Sequence, residues 1–135
     1  MRKIVFIVIN LILMASICFA QTDQFTYHPP TEKKIIDINF ITVSSYLILT
    51  TIFDLETTFS AIRNGAHEAN PIMRPFVKRG RGATYGMQMG INAIVIGTSY
   101  LMKKDPKWNK GWWVIPLVVA TGHGVAGGLN LKYVW

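Results

Sequence analysis

Residues 54–71 read DLETTFSAIRNGAHEANP. The first half closes an apolar run that begins at Asn39; the second is a glycine turn followed by a polar knot ending in Asn70-Pro71. On a helix of about 3.6 residues per turn, Thr50, Thr51, Asp54, Thr57, Thr58, Ala61 and Gly65 share one face. Glu56 stands about 200° around the helix from Asp54, so the two acids are not a catalytic pair. Glu56 is expected to snorkel toward Arg63 or water. Asp54 has no such exit: it lies about 13 Å of helix from Arg63, where an unpaired carboxylate in hydrocarbon is costly. Such a stretch demands a bundle that supplies Asp54 with polar partners.

The flanking sequence supplies one. Half of the 135 residues are hydrophobic and only 16 % are charged, which places the chain among membrane proteins. Runs at about 39–63, 83–102 and 112–131 are each long enough to cross a hydrocarbon core of about 30 Å. Residues 1–20 read as a secretory signal: Arg2 and Lys3, an apolar core from Ile4 to Ile17, and a small-x-small site at Cys18-Phe19-Ala20. A lipoprotein site lacks its small residue before Cys18, and an uncleaved anchor is the alternative; both leave the polar segment 21–38 outside. Cys18 is the only cysteine, so the cleaved chain carries no thiol. The expected fold is therefore an all-α, small helical membrane bundle: three transmembrane helices after a signal peptide. Loop charges nearly balance, so orientation follows from the signal, with the mature N-terminus outside and the Glu68 loop and C-terminus cytoplasmic.

Asn70-Pro71 resembles a helix start, an Asn cap before proline. The short helix after it would turn Ile72, Met73, Phe76 and Val77 toward lipid. Arg74, Lys78, Arg79 and Arg81 would then meet anionic headgroups at the cytoplasmic face. The net charge of +7 is spread between apolar runs rather than along one face, and no nucleic-acid motif is present. Trp112 and Trp113 are expected as an interfacial belt, with Tyr133 and Trp135 at the far end.

Counting about 1.5 Å per residue brings Asp54, Asn92 and His123 to similar depth. Asn92 and His123 are the expected hydrogen-bond partners of Asp54, while Gln88 and Asn130 fall nearer Glu68 and Asn70. Gly86, Gly90, Ala93 and Gly97, and Ala120, Gly124 and Gly128, form small faces that permit close packing and self-association into a homo-oligomer. No metal is expected: there is no paired-histidine motif, and adjacent His67 and Glu68 have no chelating spacing on a helix. No nucleophile elbow or phosphate loop appears, and no cofactor is implied.

Asp54-x-x-Thr57-Thr58, Gly65-x-x-Glu68-x-Asn70-Pro71 and a later helix with His123 and Asn130 resemble a family of small bacterial membrane proteins. That family is known only as a domain of unknown function. The resemblance covers residues from about 40 to 131 and implies a multi-pass protein of the bacterial inner membrane. Gln88 stands where the family pattern carries a lysine. The resemblance highlights residues without supplying an activity.

The candidate ligand or proton site is thus Asp54, Thr57, Thr58, Glu68, Asn70, Asn92, His123 and Asn130. Three functions fit it: a non-enzymatic binding, scaffolding or accessory protein; an oligomeric ion, proton or small-solute transporter; and a membrane-interface hydrolase. The first is favoured, because intramembrane Asp, Asn and His commonly tie helices together and no catalytic motif is present.

Overall fold

The chain's first described helix starts where Asp37 can cap it. The computed structural model describes residues 34–134; the signal at 1–20, residues 21–33 of the polar segment and Trp135 lie outside the described residues. Asp37 is extended, and its carboxylate accepts the Phe40 N–H at 2.9 Å. That satisfies one of the amides a helix start leaves open. Helix α1 (Ile38–Arg63) follows and stops at Asn64-Gly65, where Gly65 takes φ +90°, a conformation that favours glycine. After it come α2 (Arg74–Lys78), α3 (Arg81–Lys104), α4 (Val114–Asn130) and a 3-10 turn, Leu131–Tyr133. Among the described residues there is no strand. The three long helices begin and end within two residues of the apolar runs.

Side-chain contacts fix how they run. Phe40 meets Trp112 (ring centroids 5.4 Å apart), Asp54 meets His123 and Thr58 meets Asn130, so α1 and α4 are parallel. Asp37 pairs with Lys103, Thr51 with Asn92 and Glu56 with Arg81, so α3 is antiparallel to α1. The closest approach is between α1 and α4 at Gly127. A Cβ there would lie 2.6 Å from the Phe53 ring and 3.1 Å from the Asp54 Cα, so only glycine leaves room. Toward the N-terminal end of α1 the interior is apolar: Phe40, Val43, Leu47, Leu117 and Trp112 are buried.

Helix α1 and the run Val114–Tyr133 are each long and apolar enough to cross a membrane. Helix α3 is patterned the other way round. Its buried residues are Thr84, Gln88, Asn92, Ser99 and Lys103, all polar, whereas Ile94 (71 % exposed) and Leu101 (65 %) face outward. A helix on a water-soluble bundle would bury the apolar stripe instead.

Four local expectations are corrected. The short helix starts at Arg74 rather than at Pro71, because the Asn70 side chain accepts the Ile72 N–H at 3.0 Å and holds residues 71–73 in a turn. That turn rotates Met73 inward, so it is buried instead of facing lipid. Trp112 is buried against Phe40 rather than sitting in a belt. The glycine face of α3 packs against nothing within the chain: a Cβ on Gly86, Gly90 or Gly97 would meet no atom within 4 Å.

A polar cavity at one end of the bundle as candidate functional site

Parallel packing of α1 and α4 through Gly127 sets two polar pairs side by side. Asp54 reaches His123, with Oδ2 2.8 Å from Nδ1. The contact occupies Nδ1 and leaves Nε2, the other ring nitrogen, for a further partner. Further along, Asn130 Nδ2 donates to Thr58 Oγ1 at 2.8 Å, leaving the Asn130 carbonyl oxygen and the Thr58 hydroxyl hydrogen for other partners. These four side chains form one wall of a cavity of about 660 Å³ at the C-terminal end of α1.

Helix α3 provides the opposite wall. Thr84 and Gln88 line it. The Thr84 hydroxyl is spent on the Gly80 carbonyl at 3.0 Å. Gln88 is only 7 % exposed and bonds to no other described residue, so a nearly buried amide is presented to the cavity with its donors and acceptor open. The run Gly65–Asn70 arches over the mouth, with Lys132 and Tyr133 beside it. This loop is pinned at both ends. Asn64 Nδ2 donates to the Tyr133 and Val134 carbonyls at 2.9 and 3.3 Å. Glu68 accepts the Asn70 N–H at 2.8 Å, and its backbone carbonyl accepts Arg74 Nε at 3.2 Å.

Six of the eight candidate residues therefore converge: Asp54, Thr58, Glu68, Asn70, His123 and Asn130. Two do not. Thr57 is buried, and its hydroxyl donates to the Phe53 and Asp54 carbonyls within α1 at 2.9 and 3.0 Å, a local back-bond. Asn92 bonds Thr51 at 3.0 Å rather than Asp54, because its level on α3 falls a turn earlier than counting placed it. Its Oδ1 is buried without a partner. Beyond Asn92 the interior is closed by Val43, Leu47 and Leu117, so the polar column ends inside the bundle.

Two ion pairs lie outside the cavity. Glu56 accepts Arg81 Nη2 at 3.0 Å and the Tyr85 hydroxyl at 2.7 Å, so its direct partners come from α3, while the side chain stays about half exposed as expected and the Arg63 charge acts on it from farther off. Arg81 also lies 5.1 Å from the Phe59 ring centroid while its side chain stays about half exposed. At the opposite end, Lys103 pairs with Asp37 at 2.5 Å and lies over the Trp112 ring at 4.4 Å. Burial of the Asp37 carboxyl raises its pKa; the hydrogen bonds from the Lys103 ammonium and the Phe40 N–H, with the charge of Lys103, together outweigh that and hold it below the ordinary value. Sequence reading counted Lys103 as a loop charge. The sign it carried was its place in the last turn of an apolar helix, where the ammonium can reach aromatic rings and a cap on the neighbouring helix. Among the described residues no three His, Cys, Asp or Glu side chains converge as a metal site requires.

An all-α bundle with two membrane-length helices and a polar cavity at one end defines the class. Within it, the chain belongs to the family described as domain of unknown function DUF5658, whose model matches residues 45–133. That span takes in every residue of the cavity. No curated protein and no solved structure matches the chain.

Proposed function

We propose that this protein is a non-enzymatic, three-span protein of the bacterial inner membrane that holds a small polar ligand in the cavity at its cytoplasmic end. The spacing of the two ion pairs supports the embedding. Asp37 and Glu56 are nineteen residues apart on α1, about 28 Å of helix, and Arg81 and Lys103 are twenty-two apart on α3, about 33 Å. Both lengths bracket a hydrocarbon core of about 30 Å. Between its two charged ends α3 carries no charge, and Ile94 and Leu101 face outward. Reading α3 as the third span follows from that pattern. The Glu56–Arg81 level then marks the inner boundary, Asp54 lies about 3 Å inside it, and the cavity opens into the headgroup region.

One observation carries the binding reading: the nearly buried Gln88 amide has no partner and faces a cavity whose other wall is Asp54, His123, Thr58 and Asn130. The apolar plug of Val43, Leu47 and Leu117 favours binding over passage through a single protomer.

Native mass spectrometry of the protein extracted from its own membrane tests this, with Asp54→Asn and His123→Ala alongside. The expected result is an added mass in the wild type that is lost in both variants. A wild-type mass with no adduct, in protein that melts cooperatively, refutes the binding reading.

A further inference from the structure

We infer that the ligand is a polyol phosphodiester carried on a membrane lipid, its hydroxyls against Asp54, Gln88 and Asn130 and its phosphate at the Lys132 mouth. The inference rests on the binding reading above and names the ligand class for that cavity.

The deep groups select for hydroxyls. The Gln88 amide, the Asn130 carbonyl oxygen and the Thr58 hydroxyl are neutral and mix donors with acceptors. Asp54 adds a carboxylate already matched to His123 at 2.8 Å. A hydroxyl donates and accepts at once, so a diol can satisfy a carboxylate oxygen and an amide together. An anion placed there would face Asp54. A cation would share the cavity with the Lys132 ammonium, and one oxygen of Glu68, the second carboxylate of the lining, is already taken by the Asn70 N–H.

The mouth selects for an anion. Lys132 lines the cavity and is exposed, and Arg63, Arg74, Lys78 and Arg79 are exposed on the segments around that end. Glu68 is the carboxylate there, and one of its oxygens is already held by the Asn70 N–H at 2.8 Å. Basic side chains at a membrane surface attract anionic headgroups. The remaining lining is apolar, with Ala61, Met73, Val77 and Leu129 between floor and mouth, which suits the glycerol backbone and first methylenes of a lipid. A volume of about 660 Å³ exceeds what a lone phosphate fills and lies in the range of sites for larger molecules.

The test uses delipidated full-length protein in detergent, titrated in native mass spectrometry with phosphatidylglycerol, phosphatidic acid and soluble glycerophosphoglycerol. Phosphatidic acid offers the phosphate without the polyol. Phosphatidylglycerol is expected to bind at least tenfold more tightly than phosphatidic acid. Gln88→Leu should erase that preference; it removes no hydrogen bond between described residues, and retained folding is verified by circular-dichroism melting. Lys132→Gln should weaken both lipids alike. Equal binding of the two lipids, unchanged in Gln88→Leu, overturns the inference in favour of surface charge alone. A different adduct that disappears in Asp54→Asn overturns the polyol phosphate while keeping the binding reading; no adduct of any kind overturns both. Glycerophosphoglycerol bound as tightly as the lipid overturns the lipid as source and assigns the same chemistry to a free solute.

Discussion

Removing the charge of Asp37 should destabilise the bundle more than removing Lys103, although the two share one ion pair. Lys103 is 5 % exposed and Asp37 is 37 % exposed, so the pair is buried at one end and wet at the other. Breaking a fully buried pair costs about 3–5 kcal/mol, because a charge is left without compensation. Exposed pairs are worth about 0.2–1 kcal/mol. With more than a third of Asp37 in solvent, screening places Asp37→Asn at about 1–2 kcal/mol. Asparagine is itself a good cap, so the start of α1 is kept and only the charge is lost. Lys103→Met removes the cation together with its need for a partner, and sets an apolar side chain against Phe40 and Trp112. It forfeits a cation–π contact of about 0.5–1 kcal/mol and should come out milder than Asp37→Asn. In the double variant the stability should return to that of Lys103→Met. The assay is thermal unfolding in detergent micelles by circular dichroism, read as a double-mutant cycle. A pH arm sharpens it. The Asp37 pKa is lowered in the folded protein, so its contribution is present above its ordinary value near 3.8 and fades as pH falls through the folded value. Wild type should lose this increment only below about pH 4, and Asp37→Asn should lack that step. Lys103→Met as costly as Asp37→Asn, or more so, would refute the reasoning, since the buried ammonium would then be held by its rings and not by its counterion.

Gly127→Ala should cost about 1–3 kcal/mol by overpacking, because the added methyl would sit 2.6 Å from the Phe53 ring and 3.1 Å from the Asp54 Cα; Gly90→Ala, with nothing within 4 Å, should not. Parallel melting curves decide, and equal melting temperatures would contradict the close approach. Asn92→Leu exchanges an orphaned Oδ1 and one bond to Thr51 for apolar volume, so stability should stay within about 1 kcal/mol of wild type or rise. A loss well beyond that in unfolding experiments would mean that Asn92 has a partner. Arg81→Gln breaks a pair that is about half exposed on both sides and should move stability by no more than about 1 kcal/mol in the same assay.

What could be read from the sequence was set by helical geometry, and what could not was set by packing between helices. The three long helices were legible because apolar runs of about twenty residues leave little other choice. Asp54 with His123 was legible because both spans run the same way and a buried carboxylate requires a donor. Asn92 was misplaced by a turn, since counting rise per residue ignores how far one helix slides against the next. The Glu56–Arg81 and Asp37–Lys103 pairs were missed for a related reason: each joins residues remote in sequence whose meeting depends on the antiparallel register of α1 and α3. Gln88 was legible as a neighbour of Glu68 and Asn70 by its level on the helix, and all three line the cavity. That the Gln88 amide is unmatched is a fact about its surroundings, which no single sequence states.

The same ion pairs change what Asp54 means. Measured from Arg63 alone, Asp54 lies deep in α1, where its natural role is to tie helices in hydrocarbon. Measured from Glu56, whose partner Arg81 opens α3, it lies about half a turn from a charged level. Three-quarters of a turn on the other side, the polar column passes to Thr51 and Asn92 and then stops at Leu47 and Val43. A carboxylate in that position is costly only if the cavity above it is dry. The cavity is lined by the loop Gly65–Asn70, and Asp54 holds His123 by Nδ1, which leaves Nε2 for whatever enters. Gly127 is what allows this, by letting α4 approach until the ring reaches the carboxylate. The packing of the bundle and the chemistry of its cavity therefore depend on one glycine, and a variant there should disturb both together.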